Sequence, residues 1–411
     1  MSWSEHVIWW HVYPLGACGA PIRDPHPTPG HRLNRLLNWL DYAAGLGTSG
    51  LLLGPVFQSS THGYDSVDQF RIDPRLGDET DFAALIDACH ARGMRVVLDG
   101  VFSHVGREHP AVAAALAGGP DSAEGELFDI DWQHPDGARP RVFEGHDALV
   151  RLNHASPRAR DYAAEVMNHW LDRGADGWRL DAAYSVDNAF WADVLTRVRA
   201  RHPQAWFLGE VIHGDYPAFV RDSTVDTVTQ YELWKAIWSS LKESNFFELD
   251  WTLTRHNEFL ESFVPQTFIG NHDVTRIAST VGPDRAVLAL AILMTVGGLP
   301  SVYYGDEQGA TGTKEERADG DDAVRPPLPE TPAELLPFGK EVLRAHQELI
   351  GLRRRHPWLT HATTRTLALT NTHYVYQAEA DGNLLTVELL LDALAPAAVI
   401  RDGEGIELWR R

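Results

Sequence analysis

Short apolar runs that end in polar clusters recur along this chain, and helix-spaced segments separate them. Residues 7–14, Val-Ile-Trp-Trp-His-Val-Tyr-Pro, read as a buried strand stopped by proline, and residues 50–55, Gly-Leu-Leu-Leu-Gly-Pro, as a second. Between them lie a Pro/Gly-rich loop over 15–30 and a helical spacing of Leu33, Leu36, Leu37, Leu40 and Ala44 over 31–45. The alternation repeats with a helix over 81–92, a strand over 94–99 and later strands ending at Asp181, Glu210, Gly270 and Tyr304. Helical periodicity fills 157–173, 188–201, 282–296 and 338–355, and a weaker strand signal lies at 224–230. Nearly all-apolar strands alternating with helices predict a parallel sheet covered on both faces. Seven clear strands and the weaker one predict an α/β fold, a (β/α)8 TIM barrel.

The pattern breaks twice. Residues 105–156 carry Gly, Pro, His and Asp with little periodicity, which predicts a small inserted subdomain after the third strand. Beyond Pro357, stretches such as Thr364-Arg365-Thr366-Leu367-Ala368-Leu369 alternate with period two, which predicts a small C-terminal all-β domain. The expected organisation is a barrel from 1–104 and 157–355, the insert at 105–156 and the β domain at 356–411.

At 411 residues with 44% hydrophobic content, the chain supports a sizeable core. Its formal net charge of -21 offers no basic footprint for nucleic acid or anionic lipid, so neither is an expected partner. Residues 1–6 lack a basic and apolar leader, and no apolar run reaches membrane-spanning length; the expected location is cytoplasmic. The two cysteines, Cys18 and Cys89, read as buried thiols rather than a disulfide framework.

Chemistry concentrates at the strand ends, where a barrel of this kind carries its active site. Arg179 and Asp181 are two apart on one strand and so share a face, and a cation that close favours an ionised carboxylate. Alone, Arg-x-Asp reads more readily as a surface salt bridge at the edge of a sheet. It has company: Ser59-Ser60-Thr61-His62-Gly63-Tyr64-Asp65 after the second strand, Asp99 to His104 after the third, Glu210 after the fifth and Asn271-His272-Asp273 after the seventh. With no phosphate loop and no Cys/His grouping of zinc spacing, three carboxylates point to acid/base and covalent chemistry on a neutral substrate. Glycoside hydrolysis needs one ionised carboxylate and one protonated acid. Asp181 beside Arg179 suits the first, and Glu210 behind Trp206-Phe207-Leu208-Gly209 suits the second, because desolvation raises a carboxyl pKa. Asp273 is placed to hydrogen-bond sugar hydroxyls.

Asp99-x-x-x-Ser-His104, Gly177-x-Arg-x-Asp181, Gly209-Glu210 and Asn271-His272-Asp273, in this order, resemble the four signature segments of the α-amylase family of glycoside hydrolases. His62-Gly63-Tyr64-Asp65 and residues 298–307 extend the resemblance over nearly the whole chain. It implies a retaining mechanism on α-glucosidic bonds, with Asp181 as nucleophile, Glu210 as acid/base and Asp273 as transition-state stabiliser. It also implies that Asp99, His104, Arg179 and His272 hold the sugar ring, with Tyr64 stacked beneath it. Arg325 resembles the arginine that many members pair with the aspartate of the Gly-Tyr-Asp segment, here Asp65; a solvated loop arginine is the alternative.

Gly-Trp-Arg-Leu-Asp and Ile-Gly-Asn-His-Asp look like the neopullulanase, cyclomaltodextrinase and α-glucosidase branch, here without a preceding N-terminal domain. Ser103 stands where many members have a calcium-binding asparagine, so no metal and no cofactor is expected. Asp319, Asp321 and Asp322 read as a solvated turn, His11 and His31 as structural, and Trp132, Trp234 and Trp238 as core or sugar-stacking residues. The expected substrate is a short, imported α-glucan. Two alternatives are a transglycosylase or sugar isomerase with the same triad, and a non-catalytic sugar-binding protein.

Overall fold

Eight parallel strands build the centre of the molecule: β1 (Trp9–Val12), β2 (Gly50–Leu53), β3 (Arg95–Gly100), β4 (Gly177–Leu180), β5 (Trp206–Gly209), β6 (Thr227–Val228), β7 (Gln266–Phe268) and β8 (Leu299–Tyr303). The computed structural model describes residues 3–24, 28–317, 319–391 and 395–411. Residues 1–2 of the leader reading, 25–27 of the expected loop, 318 of the acidic turn and 392–394 of the expected β domain lie outside the described residues. The strands follow the order β6-β5-β4-β3-β2-β1-β8-β7. A parallel bridge between Thr229 and Gln266 joins the two edges, and the Gln230 amide donates to the Gln266 carbonyl at 2.9 Å. The sheet thus closes into a barrel.

The two-residue period of each strand decides what the barrel encloses. Trp9 and His11 share the inner face of β1, Val97 and Asp99 that of β3, and Leu208 precedes Glu210 on that of β5. The lower members, Trp9, Leu52, Val97, Trp206, Leu208 and Leu299, pack together as an apolar plug. The upper members are polar and build the site. Outward-facing Trp10, Leu51, Leu53, Val96, Leu98 and Trp178 pack instead into the larger core beneath the helices.

Helices Glu79–Ala91, Pro157–Leu171, Asn188–Arg201, Pro283–Thr295 and Lys340–Arg355 lie where the periodicity predicts them. Asp78 opens the first with a reciprocal capping box to Asp81. The predicted helix at 31–45 divides into a 3-10 segment, Arg32–Trp39, and an α-helix, Leu40–Leu46. Its buried residues Leu33, Leu36 and Trp39 recur every third position, the period of a 3-10 turn. The first strand stops at Val12 because Pro14 opens a four-residue helix, Pro14–Ala17. Helices Tyr231–Glu243 and Phe247–Leu260 lie outside the predicted set. They follow β6, whose two residues are too short for an apolar run.

Between β3 and helix Pro157–Leu171 the chain forms short strands and two helices, Pro110–Gly118 and Ala123–Leu127. Strands His104–Gly106, His146–Arg151 and Val142–Phe143 make a three-stranded sheet that begins at His104, directly above β3. The C-terminal segment is a five-stranded antiparallel meander, β9 (Thr363–Leu369), β10 (His373–Ala380), β11 (Asn383–Leu390), β12 (Ala397–Asp402) and β13 (Glu407–Arg410). Its Tyr376 hydroxyl lies 2.6 Å from Thr295 Oγ1, docking the sheet on helix Pro283–Thr295. No described helix is long and apolar enough to cross a membrane.

Just beyond β8, Asp306 and Glu307 are buried. Arg276 pairs with Asp306 at 2.7 Å, and Tyr42 donates to Glu307 at 3.0 Å. Burial still raises Asp306 from its ordinary 3.8 to about 6 and Glu307 from 4.5 to about 7. The folded state therefore binds protons more tightly than the unfolded chain. That contribution is complete below about pH 4 and is lost as pH rises through 7, by ~3 kcal/mol for Glu307. Glu307→Gln is accordingly expected to gain stability relative to the wild type between pH 5 and 7.5. Thermal melts of both proteins at the two pH values check this; a pH-independent difference in Tm counts against it.

Candidate active site

The inner-face residues at the strand ends converge on Arg179. Parallel register sets Arg179 beside Asp99 on β3 and Leu208 on β5. Arg179 Nη1 donates to Asp99 Oδ1 and Oδ2 at 2.8 and 2.9 Å and to Asp181 Oδ1 at 2.8 Å; Nη2 lies 2.7 Å from Glu210 Oε1. All four residues are buried. One guanidinium thus holds three carboxylates, and the surplus negative charge has electrostatic consequences. Burial raises Asp181 well above the ordinary carboxylate range; Arg179 pulls it down, but repulsion from Glu210, Asp99 and Asp273 reinforces the rise. This corrects the expectation that Arg179 would lower it. Sequence shows one partner, whereas the fold adds three carboxylates and removes water.

Asp181 ends β4, and the next residue turns sharply. Ala182 adopts φ 44° and ψ 40°, a left-handed conformation that is costly for a residue with a Cβ. The turn aims the Ala182 amide at Glu210 Oε2, to which it donates at 2.9 Å. Tyr231 donates to Glu210 Oε1 at 3.2 Å, and Asn271 Nδ2 donates to the Tyr231 hydroxyl at 3.0 Å. Tyr231 is missing from the expected site, since it opens the helix whose preceding strand is too short to read.

Asp273 faces this cluster from the end of β7. Its amide donates to Asn271 Oδ1 at 2.8 Å, His272 Nε2 lies 3.0 Å from its Oδ2, and Arg325 Nη2 donates to its Oδ1 at 2.9 Å. Burial opposes its ionisation, but His272, Arg325 and Arg179 outweigh burial and hold Asp273 well below the usual carboxylate range. The expected pairing of Arg325 with Asp65 does not form. Arg325 Nη2 binds Asp273 and Asp321, its Nε donates to the His272 carbonyl, and its guanidinium lies 4.6 Å from the Tyr13 ring centre. Buried Asp65 accepts instead from Thr61 Oγ1 at 2.6 Å, and its Oδ1 has no hydrogen-bond partner. The segment after β8 delivers Arg325 to the β7 carboxylate, a choice made by chain path.

Tyr64 stacks on His272, with ring centres 5.6 Å apart and planes 5° from parallel, and donates to Asp99 Oδ2 at 3.0 Å. His104 lies on the cavity wall beneath Phe143, whose ring centre is 4.5 Å away. Burial lowers His104 to about 4, so the ring is neutral. Its Nε2 donates to the Tyr64 carbonyl at 3.0 Å, which leaves Nδ1 to accept from Ser103 at 2.8 Å. Both nitrogens are therefore engaged within the protein.

These groups border a cavity of about 470 Å³ lined by Tyr64, His104, Asp181, Asp273 and Arg325 of the expected set. His62, Phe143, His146 and Leu149 line it as well, together with Arg23, Asp319 and Asp321. Asp65, Asp99, Arg179, Glu210 and His272 are not lining residues; Asp99, Arg179 and His272 are bonded to residues that are, and Glu210 is bonded to Arg179, Ala182 and Tyr231. A larger cavity of about 700 Å³, bordered by His31, Arg71 and Glu79, contains none of the strand-end carboxylates and therefore lacks the chemistry. Trp132, Trp234 and Trp238 do not line the site cavity; Trp234 packs on Phe268 and Trp238.

Asp319 and Asp322 pair with Arg23, and Asp321 with Arg325 and Lys314, so the acidic turn is ion-paired rather than merely solvated. His31, Asp78 and Asp81 place ligand atoms within 4.8 Å of one another. His31 Nδ1 lies 2.7 Å from Asp81, and Asp78 caps a helix, so protein partners already occupy the group.

Residues 31–329 match the family model described as the α-amylase catalytic domain. The chain belongs to the α-amylase family of glycoside hydrolases. It is 31% identical to a cyclomaltodextrinase of Geobacillus thermopakistaniensis, over 97% of this chain and 71% of that protein. It is 30% identical to neopullulanase 2 of Thermoactinomyces vulgaris, over 88% of this chain and 66% of the relative. The chain thus spans about two thirds of the length of these α-amylase-family relatives. Among solved structures, the ligand-free cyclic α-maltosyl-(1→6)-maltose hydrolase of Arthrobacter globiformis superimposes with a TM-score of 0.81 at 26% identity, over 95% of this chain and 92% of that one.

Proposed function

We propose that this α-amylase-family protein hydrolyses α-glucosidic bonds in malto-oligosaccharides or related short or cyclic α-glucans, with retention of configuration. The observation that carries the reading is the bridge formed by Arg179 between Asp181 and Glu210. Bonded to the two terminal nitrogens of one guanidinium, the two carboxylates are held close to each other, which favours the shorter carboxyl separation of covalent attack over the longer one that admits a water nucleophile.

Asp181 attacks the anomeric carbon while Glu210 gives its proton to the departing glycosidic oxygen, forming a glycosyl ester of inverted configuration. Glu210 then removes a proton from water, which attacks the ester carbon, restores the α configuration and frees Asp181. Asp273, kept ionised, faces the positive charge that develops on the sugar ring and accepts hydrogen bonds from its hydroxyls. Tyr64 offers an aromatic face to the ring, and His272 and Arg325 hold Asp273. Arg179 and Asp99 position the two reacting carboxylates, while Asp65 and His104 support the wall behind Tyr64.

The relatives' names support short and cyclic glucans as the substrate class. One relative, 27% identical, is an intracellular maltogenic amylase of Bacillus subtilis, and this supports a cytoplasmic location. A proton NMR time course on maltotetraose and on a cyclomaltodextrin, without added metal, tests the proposal. Early α-anomeric products are expected from at least one of them. Early β-anomers would overturn the retaining mechanism, and hydrolysis of neither would overturn the substrate class.

A further inference from the structure

His11 lies under the site on β1, its Nε2 3.3 Å from His272 Nδ1, with the two ring planes 82° apart. The hydrogen bonds on the far side of His272 determine what passes between these two nitrogens. His272 Nε2 faces Asp273 Oδ2 at 3.0 Å and is in close contact with the Tyr64 hydroxyl. Tyr64 has one hydroxyl proton and donates it to Asp99 Oδ2, so toward His272 it is an acceptor. Both neighbours of His272 Nε2 therefore accept, and Nε2 must carry a hydrogen. A neutral imidazole with hydrogen on Nε2 keeps a lone pair on Nδ1, and the group facing that lone pair is His11 Nε2.

We propose that His11 donates its Nε2 hydrogen to His272 Nδ1 and thereby fixes His272 as the neutral Nε2–H tautomer that serves Asp273 and Tyr64. Its significance for catalysis rests on the glycosidase reading above. The hydrogen bonds then run in one direction, from His11 through His272 and Tyr64 to Asp99, which Arg179 holds against Asp181. The surroundings of His11 suit a neutral donor. Burial is the first cause that holds its pKa well below the usual range. The other close ring is that of Tyr303, 5.3 Å away in an edge-on arrangement. Without the donor, the His272 Nδ1 lone pair is a buried acceptor with no partner, and the ring loses the bond that holds its Nε2–H against Asp273 and Tyr64. His11 is thus a positioning residue, acting through His272 rather than on the sugar.

The test compares His11→Phe, which keeps a flat ring without an N–H, with His11→Gln, which keeps an N–H donor. Histidine 15N spectra report the tautomer directly, with the His272 signal assigned by its loss in His272→Gln. The wild type is expected to show His272 with hydrogen on Nε2 and a bare Nδ1. His11→Phe is expected to shift that signal and to lower kcat on maltotetraose roughly tenfold or more with a smaller change in KM, because the bond at one imidazole nitrogen sets the state of the other. His11→Gln is expected to restore the signal and most of the kcat. Hydrogen on Nδ1 of His272 in the wild type would overturn the proposal, as would an unchanged His272 signal in folded His11→Phe. If the tautomer shifts as expected but the wild type hydrolyses no glucan, the tautomer assignment stands and the glycosidase reading falls.

Discussion

Asp181→Asn is expected to lower turnover of malto-oligosaccharides by ~10⁴-fold or more while leaving the protein folded and no less stable at neutral pH. The two effects share one cause. Asp181 is a buried carboxylate that burial and three carboxylate neighbours push toward the protonated form, so its ionised form is destabilised in the folded state. Asparagine removes that electrostatic strain and also removes the nucleophile. The melting temperature of the variant should equal or exceed that of the wild type at pH 7, and its advantage should shrink as pH falls through about 4, where Asp181 of the unfolded chain also takes up its proton. Azide added to Asp181→Gly, which leaves room on the nucleophile's side, should yield a β-glycosyl azide, the product of one displacement from that side. Glu210→Gln should lose ~10²–10⁴-fold on the same sugars but much less on an aryl glycoside whose leaving group needs no proton. Near-normal turnover by Asp181→Asn would refute the assignment.

Arg179→Met is expected to cost both activity and fold. Arg179 is the cation shared by Asp99, Asp181 and Glu210, and it is itself buried. Removing one partner of a buried ion pair leaves uncompensated charge and typically costs about 3–5 kcal/mol. The penalty has a pH signature. Without the guanidinium, the three carboxyls have folded-state pKa values above their unfolded ones, so stability is present below about pH 4 and lost as pH rises toward neutrality. Denaturant unfolding at pH 4.5 and 7.5 should show a larger deficit at the higher pH. An equal deficit at both would mean that Arg179 contributes mainly by packing. The double variant Arg179→Met/Asp99→Leu should recover part of the loss at pH 7.5, because one orphaned charge is gone.

Local pattern made much of this protein readable in advance. Four-residue runs such as Gly50-Leu51-Leu52-Leu53 are buried on both faces and have one structural solution, a strand between layers, so β1 to β5 and the helices between them were legible. The catalytic segments were legible because a closed barrel requires inward side chains at the strand ends, and period two counts them off: Asp99 above Val97, Glu210 above Leu208. β6 was legible only as the weaker signal at 224–230, because it is two residues long and is completed by pairing with β7, a partner distant in sequence.

What the sequence by itself determined is the set of residues, their order around the barrel and the face each occupies, since those follow from chain order and backbone period. What only the tertiary structure decided is who touches whom across strands and loops. Arg325 reaches Asp273 and not Asp65, Tyr231 arrives over Glu210 from a helix, and His11 on β1 meets His272 beyond the end of β7 although β8 lies between the two strands. The sign of the Asp181 shift was decided there too, because a pKa depends on every charge within a few ångströms and on the exclusion of water. The nearest neighbour in sequence supplies only one of those charges.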